Sequence, residues 1–237
     1  GVSFMFEMIG QEFMFYFQTK KCYIYQTVIH YIERIIFLLG MISLVIIAGS
    51  LLNIKMILKI GFWFSLINSF AEVSSRIESE IRLKQFQHCY HLKVSYWTIS
   101  FVRLIPILIE SVLIVILSFI FLSPFVKYVI DISLSGSLLY ILLAMIQYCI
   151  LNYLFIFLTL YFQRVQAVLG FVESFTFFYS GMVIFNERYQ LFLFKIMDQI
   201  LYNNFNSMSY LIIYIILECM VLKFGTVYLN RIVRKGM

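Results

Sequence analysis

Residues 100–122, SFVRLIPILIESVLIVILSFIFL, hold two charges in a run of 23. As a helix rising about 1.5 Å per residue, such a run spans about 35 Å, enough to cross the ~30 Å hydrocarbon core of a bilayer. Hydrocarbon offers no partner to a backbone N–H or C=O, so a spanning segment must pair them internally, as a helix does. Similar runs recur along the chain. Its 237 residues are 62% hydrophobic and only 13% charged, and mean hydropathy is +0.93. A soluble domain carries about a quarter charged residues, and this chain has too few to clothe a core. A membrane barrel would instead show ~10-residue segments of alternating polarity. The sequence therefore reads as a single all-α integral membrane domain over residues 1–237.

Six transmembrane helices are expected, at about 35–52, 56–74, 100–122, 138–162, 166–185 and 208–229. Residues 3–33 mix Phe and Tyr with Glu7, Glu12, Lys20, Lys21 and Glu33. That stretch is too polar to span, and it predicts an amphipathic helix lying in the interface. The LFLFKIM core of 186–207 predicts a short re-entrant or interfacial helix. Six spans leave both termini on one side. Thirteen of the 18 Lys and Arg fall on that side and five on the other. Cytoplasmic loops collect Lys and Arg, so the termini and the 76–95 segment are expected in the cytoplasm of a multi-pass plasma-membrane protein. The net charge of +6 then reflects anionic lipid rather than nucleic acid.

The 76–95 segment, RIESEIRLKQFQHCYHLKVS, breaks the apolar pattern. Arg76–Glu80, Glu80–Lys84 and Glu78–Arg82 stand four apart, the spacing at which opposite charges support a solvated helix. A Leu- and aromatic-containing turn leads back toward the membrane. An ionic helix followed by such a turn is either a docking site or a loop charged because it sits in water.

In order along the chain come an amphipathic leader, a first span, a second span continuing into EVSSRIESEIRLKQFQHCYHLKVSYWTISFVRLI, and four more spans. This order resembles the permease subunit of ABC exporters of the ABC-2 type. ESFTFFYSGMVIFNERY, 173–189, is similar to the end of that family's fifth span, and NNFNSMSYLI, 203–212, to its approach to the sixth. The family's prolines after Ser180-Gly181 and within 203–209 are absent here. The resemblance implies a cytoplasmic coupling helix pressed by a separate ATPase subunit, with Glu78, Glu80, Arg82, Leu92 and Ser95 in the coupling segment. It also implies a second permease chain, identical or related. No G-x-x-x-x-G-K-[ST] loop is present, so ATP and Mg would be held by the partner and no cofactor by this chain.

Intramembrane carboxylates are expensive and must meet a partner or water. Glu110 and Glu173, with Asn152, are candidates for a translocation path, and helix–helix contact is the competing role; Glu218 in the sixth span is a further such acid. His88-Cys89-Tyr90-His91 offers His at i and i+3 without a third ligand nearby. No His lies within an expected span to act as a base. The expected function is export of an amphipathic substrate, most simply an antimicrobial or toxic peptide, by a subunit that is not itself an enzyme. A secondary carrier or a non-catalytic assembly subunit is the alternative.

Overall fold

The computed structural model describes residues 2–47, 54–83, 96–124, 134–162, 165–183, 188–201 and 208–234. Eight helices order them: α1 (Val2–Cys22), α2 (Ile24–Ile47), α3 (Ile54–Arg82), α4 (Tyr96–Leu122), α5 (Leu134–Phe162), α6 (Gln166–Phe178), α7 (Phe192–Leu201) and α8 (Met208–Arg234). Four of them, α2 to α5, are long and apolar enough to cross a membrane. The chain is thus all-helical over its described residues and carries the helices of a membrane-embedded protein.

α3 is the central helix, buried nearly all round against α4, α5 and α6. Its sequence allows this because Gly61, Ser65 and Ser69 recur every fourth residue, a small-residue stripe that lets helices approach closely. A β-carbon on Gly61 would stand 3.7 Å from Val115 of α4. Larger residues occupy the remaining faces. Phe70 stacks on Phe155 of α5 at 4.2 Å and 6°. Trp63 is fully buried; its ring meets Phe37 of α2 and Phe177 of α6, and its indole N–H donates to the Thr176 hydroxyl at 3.0 Å. One residue thereby joins three helices. Asn68 donates to Ser111 of α4 at 2.7 Å. α4 runs unbroken through Pro106.

Several boundaries differ from the sequence expectation. The leader breaks at Tyr23, not near residue 34, because the polar residues of 24–34 continue the helix that becomes α2. The Thr27 hydroxyl reaches across the bend to the Lys20 carbonyl at 3.0 Å, supplying a partner where the helical ladder is interrupted. The fifth expected span, 166–185, is only 13 residues of helix, about 20 Å by rise and too short to cross alone. α6 ends at a turn in which Gly181 takes φ +81° and from which the chain leads to α7. That helix matches the short helix expected from LFLFKIM, and it buries Leu193, Phe194, Ile196, Met197, Ile200 and Leu201 against α5 and α8.

α1 divides its charges between two faces. Glu12, Tyr16 and Lys20, four apart and so on one face, turn toward α3 and α4. Phe6, Met14, Phe15 and Phe17 point outward and are exposed, as are Glu7 and Lys21.

The turn at Gly181 generates a test. A β-carbon there would collide with the Gln190 side chain on a backbone that costs an L-residue about 1–2 kcal/mol. Gly181→Ala should lower the thermal unfolding temperature of the purified protein by several degrees, while Gly40→Ala, where a β-carbon meets nothing within 4 Å, should not.

Candidate functional site: a charged seam and an apolar crevice

The inward face of α1 builds a seam of ion pairs. Lys20 donates to Glu110 of α4 at 2.5 Å and lies 3.7 Å from Glu72 of α3. The Tyr16 hydroxyl donates to the other oxygen of Glu110 at 2.6 Å. Burial first, then the Glu72 and Glu110 carboxylates, hold that hydroxyl above its usual range, so it remains a donor. The Lys20 ammonium also sits over the rings of Tyr16 and Tyr31, which adds cation–π attraction. His30 of α2 is 3.4 Å from Glu72. A polar cleft of about 220 Å³ opens above this group, lined by Thr19, Tyr23, Gln26 and Thr27 among others.

A second knot follows toward the end of α3. Arg76 pairs with Glu12 at 2.5 Å and with Glu80 at 3.7 Å. Arg103 of α4 grips Glu80 with both terminal nitrogens, at 2.9 and 3.1 Å. This fork geometry gives orientation as well as energy. Arg103 and Glu110 stand seven residues apart on α4, yet each meets a different helix, α3 and α1. Glu78 accepts the Val165 N–H at 2.8 Å, placing a carboxylate at the start of α6 where the helix dipole favours it.

A third knot lies at the other end of α3. Lys59, buried, donates to Asp198 of α7 at 2.8 Å and to the Gly181 carbonyl at 3.4 Å. Gln190 donates to the same Asp198 oxygen at 2.6 Å and to the Ser180 carbonyl at 3.1 Å. The knot pins the 179–183 turn and α7 to the start of α3.

The coupling residues expected from sequence are therefore divided. Glu78 and Glu80 are brace points, Arg82 is exposed at the last turn of α3, and Leu92 and Ser95 lie outside the described residues, as does His88–His91. Of the path residues, Glu110 is bound to Tyr16 and Lys20, and Glu173 stands 4.0 Å from Arg34. Asn152 is buried and returns its amide N–H to the Tyr148 carbonyl at 2.8 Å. The structure does not gather these three around a shared space. Sequence reading missed Glu12, Tyr16, Lys20, Arg34 and Glu72 as a set. The i, i+4, i+8 spacing of Glu12, Tyr16 and Lys20 on α1 was the available signal.

Between α3, α4 and α5 lies an apolar crevice of about 320 Å³, walled by Gly61, Phe62, Leu108, Val115, Tyr140 and Ala144. Val112, Ile116 and Met145 line it while remaining exposed, so it opens sideways between α4 and α5. Ser65 and Tyr148 also line it. No family model matches this chain, and neither does a curated protein or a solved structure.

Removing one partner of a buried pair strands the other charge at a cost of about 3–5 kcal/mol, whereas replacing both with apolar groups is often neutral. Glu110→Ala should therefore depress thermal stability strongly. Lys20→Met combined with Glu110→Leu should recover most of the loss. A double variant as unstable as the single one would show that the pair does more than cancel charge.

Proposed function

We propose that this chain is the permease subunit of an ATP-driven exporter of the ABC-2 type. The observation that carries the reading is the length and bracing of α3. Its 29 residues extend about 44 Å, some 14 Å beyond a ~30 Å hydrocarbon core. One end is therefore a stiff post outside the apolar layer, and it leads directly into the charged 84–95 segment. That post is tied to α1 through Arg76–Glu12, to α4 through Glu80–Arg103 and to the head of α6 through Glu78. A push on the end at Arg82 is delivered to three helices at once, as a subunit driven by an external ATPase requires.

The topology of this reading has six crossings and both termini in the cytoplasm. α6, the Gly181 turn and α7 form a fifth crossing completed by a re-entrant segment. A second permease chain completes the transporter. The cargo is amphipathic, a toxic or antimicrobial peptide by preference, and its apolar portion enters from the bilayer through the crevice between α4 and α5. ATP and Mg belong to the partner ATPase.

The test is co-purification from native membranes. Wild-type chain should bring an ABC-type ATPase with it. Arg82→Glu, at an exposed position, should weaken that association ~10-fold, about 1.4 kcal/mol, with unfolding temperature unchanged. Glu80→Lys is the wrong probe, because it breaks the brace to Arg103. If no ATPase accompanies the wild-type chain, the exporter reading fails and a carrier independent of ATP takes its place.

A further inference from the structure

Glu218 on α8 is 6% exposed, and neither of its carboxyl oxygens has a hydrogen-bond partner among the described residues. Gln147 of α5 is fully buried, and its amide nitrogen and oxygen are likewise unpartnered among the described residues. The two side chains lie beside each other, with Tyr214 one turn away on α8. Both sit near the middle of long apolar helices that pack together. Four polar atoms are thus left over in one place, where an unmade bond is costly and an unpaired charge costlier still.

We infer that Glu218 and Gln147 form an intramembrane proton-binding site. The argument is one of hydrogen-bond counting. A protonated carboxyl has one donor and one acceptor, and so does the edge of a primary amide. Set edge to edge, the Glu218 O–H donates to the Gln147 carbonyl and the Gln147 N–H donates to the Glu218 carbonyl. All four leftover atoms are then satisfied by small side-chain rotations. An ionised Glu218 can accept from the Gln147 N–H and from the Tyr214 hydroxyl, yet it offers no donor to the Gln147 amide oxygen, which is left lone pair against lone pair. The proton is the component the site lacks.

Among the described residues no cation acts on the Glu218 carboxyl; Gln147 and Tyr214 are the polar groups that do. Lys223, five residues on, is turned roughly 140° around α8. α7 meets this region through Ile196 and Ile200, which cluster with Leu143 of α5 and Leu211 of α8, about 10 Å along α8 from Glu218. Its ionisable residues are Lys195, which has its own interaction, and Asp198, which is bound to Lys59. Leu217, Met220 and Val221 beside Glu218 are exposed, so an apolar reagent reaches the site from the lipid side. The contact between α5 and α8 is consequently proton-dependent, a property independent of the exporter reading.

The experiment is labelling of the purified full-length protein in lipid vesicles with dicyclohexylcarbodiimide, followed by peptide mass mapping. A protonated carboxyl adds its O–H across the carbodiimide C=N bond, and the adduct rearranges to a stable N-acylurea without loss of atoms. At neutral pH Glu218 should be modified several-fold more than Glu110, whose two oxygens are covered by Tyr16 and Lys20. Modification should fall as the pH is raised. Gln147→Leu, which removes the amide but adds no charge, should leave Glu218 protonated and labelled. Labelling of Glu218 no greater than that of Glu110 overturns the inference.

Discussion

The inward turn of charge from α1 organises the rest of the structure. Lys20 against Glu110, and Glu12 against Arg76, turn one polar face of the helix toward protein, while Phe and Met side chains share the outward side with Glu7 and Lys21. A charge turned inward must find its counter-charge within the protein. Once α1 is committed in this way, α3 and α4 must present Glu72, Arg76 and Glu110 on their facing sides, and α2 must bring His30 and Arg34 to the same seam.

The central helix then acts as a strut between two polar knots. At one end Lys59 gathers Asp198 and the Gly181 turn; at the other Glu80 gathers Arg76 and Arg103. Between them the packing is apolar and close, through the small stripe at Gly61, Ser65 and Ser69 and the rings of Trp63 and Phe70. The same small residues that admit a neighbouring helix also leave the crevice beside α5, where Gly61 and Ser65 meet Ala144 and Tyr148. Close packing on one part of the stripe and open space on another come from one pattern of small side chains.

Much of the candidate site was legible only as a list of costly residues. Glu110 and Glu173 stood out because they interrupt apolar runs, but their partners lie 90 and 139 residues away, Lys20 in the leader that composition assigned to the interface and Arg34 just after it. The periodicity of Glu12, Tyr16 and Lys20 was visible. Which way that face turned was not, since periodicity gives a face and not a direction. The Gln147–Glu218 pair was equally hidden: each is one polar residue in a different apolar helix, and only the packing of α5 on α8 makes them neighbours.

The sequence by itself determined that the chain is helical and membrane-embedded, and that α3 to α5 lie near 56–74, 100–122 and 138–162. Those properties follow from local hydropathy, the rise of a helix and the backbone's need to pair its own polar groups. Tertiary structure decided which charges meet, that α6 stops after 13 residues, and which of the α1 charges turn inward. Charge pairing across helices depends on distance in space, and no local pattern encodes which of several carboxylates a lysine will reach.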